Sequence, residues 1–374
     1  MAATRADLIV VGAGLAGSAA AWAAAERGMD VVVLEAFQPE HRNGSSHGSA
    51  RIFRRVYPDE LYVRMTGRAG ILWRQLEADA GESLLQRTGG LDFGARRDPK
   101  QLHAVLADCD VAAELLEPAV AAERWPYVDF TDAGPVLYQE EAGVLDPDRA
   151  MAAMLRLAAA DGAEVRFGTP VTRLEAASGG EGAVAHTDSG AFAAPVVAVA
   201  AGAWLPALLG GLVPLPPLAV TQQQVFHFAP RLAAEQPWPI VICQQEADNF
   251  YALPGGRDGE LPGAIKLGSD DRDKPTTAAT RDFVVDPAAR DAATGFVIRR
   301  LPGLVSTPVN EVTCLYTSTA NKDFILDRHG PFVVASACSG HGAKFAPLLG
   351  EIIAALSAGD PPPDERFTLA KHLA

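Results

Sequence analysis

Cysteine is scarce: Cys109, Cys243, Cys314 and Cys338 are the four in 374 residues, and no two stand at a metal-ligand spacing. A disulfide scaffold and a structural zinc site are excluded, and the pattern suits a reducing cytoplasm, the expected compartment. Positive charge is also short. Lys and Arg number 32 against 46 Asp and Glu, a net charge of −14 that repels phosphate backbones and anionic membrane surfaces. Nucleic acid and membrane are therefore not expected partners. No apolar run spans a bilayer, since Leu8–Val11 breaks at Gly12. Internal repeats and low-complexity tracts are missing as well. What remains is 48% hydrophobic and 21% charged, an ordinary folded composition in a chain long enough for two cores.

Periodicity divides the chain into alternating elements. The β-branched run at residues 8–11 reads as a buried parallel strand, 12–17 as a tight turn, 18–27 as an alanine-rich helix ended by Gly28, and 31–34 as a second strand. Together they make a βαβ unit. Helices are predicted over 61–80, 147–162 and 346–357, from Met65, Ala69, Leu72 and Leu76 in the first and Met151, Met154, Leu155 and Ala158 in the second. Strands are predicted at 89–94, 165–167, 171–174, 195–200 and 332–336. The prolines at 214, 216 and 217 mark a boundary, after which 223–228 and 264–267 alternate as in an antiparallel sheet.

Gly12-Ala13-Gly14-Leu15-Ala16-Gly17 satisfies G-x-G-x-x-G in its meaningful context, after a strand and opening a helix. Gly12 permits the turn, Gly14 lets backbone approach a pyrophosphate, and Gly17 lets helix and strand pack closely. The phosphates then sit at a helix N-terminus. Glu35, closing the second strand, is placed to accept ribose hydroxyls and would repel a 2′-phosphate. FAD and NAD are not distinguished by this motif.

Three further segments do distinguish them. Residues 43–54, Asn-Gly-Ser-Ser-His-Gly-Ser-Ala-Arg-Ile-Phe-Arg, the run Cys314-Leu315-Tyr316-Thr317, and residues 339–345, Ser-Gly-His-Gly-Ala-Lys-Phe, follow the fingerprint in order. In sequence and spacing they resemble the monomeric sarcosine oxidase and N-methyltryptophan oxidase branch of the D-amino acid oxidase family of flavoproteins. The resemblance covers essentially the whole chain. It implies FAD attached covalently through Cys314 to the flavin 8-methyl group, His47 and Arg51 beside the flavin ring, and Arg54 with Lys344 as ligands of a substrate carboxylate. Tyr57, Tyr251 and Tyr316 correspond to pocket tyrosines. Ser45, Val171, Gly202, Trp204, Gly340 and Gly342 fall at cofactor-contacting positions.

Lys266, interrupting the apolar run Ala264-Ile265-Lys266-Leu267, corresponds to an oxygen-activating lysine. A unit charge at ~4 Å from the developing superoxide contributes ~4 kcal/mol at an effective dielectric of ~20. On residue chemistry alone, Arg54 and Lys344 read equally as solvated charges, Lys266 as the wet face of a strand, Cys314 as a small buried hydrophobe and the tyrosines as packing. A planar guanidinium beside an ammonium suits a carboxylate, however, and the glycine-flanked setting of Lys344 is unusual for a surface charge. One departure concerns Asp270. Sarcosine oxidases carry histidine four residues after that lysine, and the acid here resembles biosynthetic oxidases of cyclic imino acids.

The expected fold is α/β, with a Rossmann-type FAD-binding domain (1–84, 145–216 and 321–374) interleaved with an antiparallel-sheet substrate domain (85–144 and 217–320). The expected activity is oxidation of an N-methyl or cyclic α-amino acid to an imine, with O2 reduced to hydrogen peroxide by a monomer needing no metal. The rivals are a cyclic imino acid oxidase of a biosynthetic pathway, an NAD-dependent dehydrogenase, a flavin dehydrogenase using another electron carrier, and a non-catalytic FAD-binding protein.

Overall fold

The structure, a computed structural model, describes residues 4–177, 182–231, 237–246, 248–269 and 274–374. The fully apolar runs become its innermost strands. Leu8–Val11, Val31–Leu34, Val196–Val199 and Phe332–Ser336 are buried along their whole length. They lie in a six-stranded sheet ordered Glu164–Arg166, Val31–Leu34, Leu8–Val11, Val196–Val199, Phe332–Ser336, Ile325–His329. The first five are parallel and the last runs antiparallel. Strands buried on both faces need cover on both, which explains their lack of alternation. On one face lie the helices Leu15–Glu26, Glu60–Ala80, Pro147–Ala160 and Ala346–Ala358. On the other lies an antiparallel meander of Val171–Ala176, Ala183–Thr187 and Gly190–Ala194.

The second sheet has nine strands, every one within residues 85–144 or 217–320. Its two longest strands, Ala219–Pro230 and Leu304–Ser318, pair antiparallel over most of their length, with Leu304–Ser318 at the edge. Ile265–Ser269 pairs with the opposite side of Ala219–Pro230, and Asn249–Pro254 follows. The fifteen-residue strand Leu304–Ser318 is not predicted from alternation, because Pro308 and the register shift opposite His227 and Phe228 interrupt it. The helix Pro287–Arg300, capped by Asp286, covers that sheet and is also absent from the periodicity reading. Among the described residues no helix is long and apolar enough to cross a membrane.

Two close approaches set the position of the first helix. A Cβ on Gly17 would stand 1.8 Å from the Gly12 carbonyl oxygen, so only glycine permits that turn. A Cβ on Gly350 would stand 2.4 Å from the carbonyl oxygen of Ala19, so the helices Leu15–Glu26 and Ala346–Ala358 meet backbone to backbone. Gly350→Ala should therefore cost about 1–3 kcal/mol by forcing the helices apart, measured as a lower denaturation midpoint. Flavin affinity should fall in the same variant, because the displaced helix carries the glycine turn.

Candidate active site

The two sheets enclose one elongated cavity of about 1190 Å³, larger than the roughly 300–1,000 Å³ of a typical small-ligand pocket. Gly12, Gly14, Glu35, Val171, Gly202 and Trp204 line it, as do Ser45, His47, Arg51 and Cys314. Arg54, Tyr251, Lys266, Tyr316, Gly340, Gly342 and Lys344 complete the set of expected residues on its wall. Gly17 instead lies behind the turn. Tyr57 is one layer back from the wall, and Asp270 lies outside the described residues.

The glycine turn has the geometry its sequence requires. Gly12 has φ +97°, and a Cβ on it would sit 2.8 Å from the Ala200 oxygen. Gly14 precedes a twelve-residue helix with no acidic side chain in its first turn, leaving the dipole uncompensated. Glu35 accepts hydrogen bonds from the Ala13 and Phe37 amides at 2.7 and 2.9 Å. Its carboxylate is thus fixed at the cavity edge.

Beyond that turn the loop through residues 41–51 curls around Arg51. The guanidinium donates to the carbonyls of Ala50, Ser45 and His47 at 2.8–3.0 Å and lies 3.8 Å from Cys314 Sγ. Arg281, buried, ties the same loop to the long edge strand Leu304–Ser318. It donates to the Arg42 and Asn43 carbonyls and to both oxygens of Thr313. Cys314 therefore faces this loop, its sulfur 3.5 Å from the Ser45 oxygen. Burial, then the charges of Arg51 and Lys266, press the His47 imidazole down to about 2, so it is neutral, and its Nε2 has no hydrogen-bond partner.

Lys266 is 5% exposed, which excludes the wet-face reading. Its ammonium donates to the Ala50 carbonyl at 3.1 Å and stands 3.9 Å from Asp258 Oδ2. Burial, followed by Arg51, lowers its titration to about 7. Tyr251 lies over Gly268, where a Cβ would be 2.3 Å from its hydroxyl, and Tyr316 lies over Gly340, which has φ +77°.

At the cavity's other end Arg54 and Lys344 approach the same ring, 5.5 and 5.4 Å from the Tyr57 centroid. Arg54 donates to the Val56 carbonyl and stands 3.7 Å from the buried carboxylate of Asp92, which Arg97 also engages at 2.6 Å. Lys344 donates to the Tyr57 hydroxyl at 3.0 Å and the His341 carbonyl at 2.9 Å. His341 Nε2 lies 3.0 Å from the Lys322 carbonyl, which can only accept, so Nδ1 is the acceptor from Tyr57 at 3.1 Å. Burial and Lys344 lower His341 to about 3, consistent with that neutral tautomer. A directed chain, Lys344 to Tyr57 to His341 to Lys322, holds the ammonium in place.

Sequence reasoning did not single out Asp258, Asp92, Asp148, Arg281, His227 or His341. Each is distant in sequence from the partner that gives it a role, and an aspartate in Gly255-Gly256-Arg257-Asp258-Gly259 reads as a solvated turn. His341 alone carried a signal, by its place inside the last glycine-rich segment.

A glycine-turn βαβ unit opening into a cavity lined by cations, and roofed by a large sheet that is antiparallel except where Ile240–Gln244 runs parallel to Gly90–Phe93, is the architecture of a dinucleotide-dependent oxidoreductase. Residues 7–356 match the family described as FAD dependent oxidoreductase, and the chain belongs to that family. Monomeric sarcosine oxidase of Streptomyces avermitilis is 34% identical over 364 residues, spanning 94% of this chain and 93% of that protein. N-methyl-L-tryptophan oxidase of Yersinia pestis is 31% identical over 380 residues, spanning 98% and 99%. Among solved structures, NikD, described as an unusual amino acid oxidase essential for nikkomycin biosynthesis, superposes with a TM-score of 0.87 at 28% identity, covering 98% of this chain and 97% of that one.

One pH response follows from the sheet behind the site. His227 is fully buried opposite Lys266, with the Asn310 backbone as its polar neighbour and no well-formed hydrogen bond to either ring nitrogen. Burial, then Lys266, lowers it to about 4. The unfolded chain protonates this residue near 6.5 and the folded one only near 4, so the unfolded state binds more protons in between and stability falls as pH drops through that window. His227→Phe should remove a slope of about 1 kcal/mol per pH unit between roughly pH 6.5 and 4, read from urea midpoints of both proteins.

Proposed function

We propose that this flavoprotein oxidises a secondary α-amino acid, N-methylated or cyclic, at its carbon–nitrogen bond. The observation that carries the reading is the spacing of buried cations along one cavity: Arg54 and Lys344 against Tyr57 for a carboxylate, Arg51 and Lys266 beside Cys314 for the redox centre. The named activities of the two 31–34% identical relatives, both oxidations of N-methyl amino acids, support it.

The residues fit FAD. The glycine turn is a cradle that side chains would fill, and His47, whose buried Nε2 has no hydrogen-bond partner, belongs to the cavity wall. Gly12, Gly14 and the following helix would hold the pyrophosphate and Glu35 the ribose, with Val171, Gly202 and Trp204 along the wall. Ser45, His47, Arg51, Gly340 and Gly342 would flank the ring, and Cys314 would attach it by a thioether. Bound FAD would supply two-electron redox chemistry between the amine carbon and dioxygen.

The protein's own contribution is orientation and charge. Arg54 and Lys344 hold the substrate carboxylate, which fixes the reacting carbon, while Tyr251 and Tyr316 wall the space beside it. Lys266 presents positive charge where dioxygen gains electrons. The amine loses two electrons and two protons to become an imine, and dioxygen gains both to become hydrogen peroxide. Asp270, read from sequence alone, stands where sarcosine oxidases carry histidine, and by that resemblance points to a ring substrate. On this reading the six-stranded unit holds the cofactor, the nine-stranded unit holds the substrate, and the protein works as a cytoplasmic monomer.

Anaerobic mixing with sarcosine, other N-methyl amino acids, proline, pipecolate and dehydropipecolate tests the proposal. At least one should bleach the flavin, its ester should not, and air should then yield peroxide equal to the substrate consumed. A panel without bleaching refutes the reading.

Covalent attachment has its own check. Yellow colour should stay with acid-precipitated protein and become extractable in Cys314→Ser.

A further inference from the structure

We infer that Asp258, clamped by Ser49, is the positioning residue that sets the charge and location of the Lys266 ammonium. The inference rests on the oxygen-facing reading of Lys266 given above.

The carboxylate of Asp258 is held on both oxygens. The Ser49 amide donates to Oδ2 at 2.8 Å and the Ser49 hydroxyl donates to Oδ1 at 2.9 Å. That hydroxyl oxygen accepts in turn from the amides of Arg257 and Asp258 at 2.7 and 3.1 Å, closing a reciprocal bracket. Asn310 Nδ2 donates to the Asp258 carbonyl at 2.6 Å and so lashes the turn to the strand Leu304–Ser318. Two glycines make room. A Cβ on Gly48 would stand 2.6 Å from Asp258 Oδ2, and one on Gly256 would stand 2.5 Å from Ser49 Oγ, with φ of +98° and +62°. The carboxylate therefore cannot swing away from the ammonium 3.9 Å distant.

The groups around Lys266 show why this matters. Its neighbours in the sheet, His227 and Leu253, carry no countercharge, since His227 is neutral. From the loop come Arg51, which opposes the ammonium, and neutral His47. Cys314 acts on it from the strand Leu304–Ser318, and Asp148 from the helix Pro147–Ala160. Asp148 spends one oxygen on the Gly48 amide, and burial raises it to about 6, so it is a weaker and more distant countercharge. Asp258 itself is held below the usual carboxylate range: burial alone would raise it, and Lys266 with Ser49 outweighs that. The ammonium titrates near neutrality, where loss of its nearest anion converts directly into loss of charge.

The holoprotein labelled with ¹³Cε-lysine provides the test. Six lysines give six signals, and the Lys266 signal is the one missing from Lys266→Met. In Asp258→Asn its titration midpoint should fall by about one pH unit or more. Ser49→Ala should shift it less in the same direction, and Asp258→Glu should keep most of the native value. Stopped-flow reoxidation by air should lose its rate at correspondingly lower pH in Asp258→Asn, with anaerobic reduction little changed. An unmoved midpoint in Asp258→Asn overturns the inference. Should that variant fail to fold, Ser49→Ala decides, and a midpoint there identical to that of the native protein overturns it. A midpoint that moves while reoxidation does not follow upholds the coupling and instead removes the oxygen role from Lys266.

Discussion

The site depends on one buried guanidinium. Arg51 turns three carbonyls of its own loop inward and places its remaining edge against Cys314, so the loop that bridges the two sheets has a single curl. Satisfied carbonyl oxygens are the condition for burying such a loop at all, because unpaired polar groups there cost about 1–3 kcal/mol each. Arg281 does the same from the opposite side, through Arg42, Asn43 and Thr313. The two arginines make the cavity's centre rigid and positive at once. Burial, joined by the charge of Arg51 at both groups and of Arg281 at His47, is why His47 stays neutral and why Lys266 titrates near neutrality.

A centre of that sign suits a cofactor that must accumulate electrons, and it constrains everything nearby. Each further cation on the wall needs a structural reason to stay charged or a partner to stay placed. Lys344 has an acceptor pair in Tyr57 and the His341 carbonyl, with the histidine tautomer fixed by Lys322. Arg54 stands by Asp92, which Arg97 also engages. On the proposed reading this guanidinium, with the buried ammonium of Lys344, receives the substrate carboxylate, whose planar fork it matches.

The contiguous parts of this arrangement were legible in the sequence. Leu8–Val11, the turn at Gly12 and the helix behind it form a local unit whose period, glycines and following Glu35 identify it without tertiary information. Cys314, Lys266 and Lys344 were legible by resemblance, since each sits in a short motif. The pairings were not. Asp258 meets Ser49 across 209 positions and Tyr57 meets His341 across 284, and nothing in either local segment encodes the other. The strand Leu304–Ser318 was hidden for a related reason: it is long enough to bend, and the residues at the bend break its alternation.

The hidden pairings are also the ones that tune rather than define. A glycine turn or a cysteine beside a flavin specifies which chemistry is possible, and such specification tolerates little variation within a short motif. The charge on Lys266 is set differently, by a sum over Arg51, Asp258, Asp148 and Cys314 contributed from separate elements, and several combinations of distant residues could give the same total. Each member of such a sum is free to sit wherever the fold brings an element close. Here the supplying element is a short turn that glycines at 255, 256 and 259 let press against Ala264, His227 and Ser49. The close packing that makes the turn look featureless in sequence is what delivers its carboxylate to the buried ammonium.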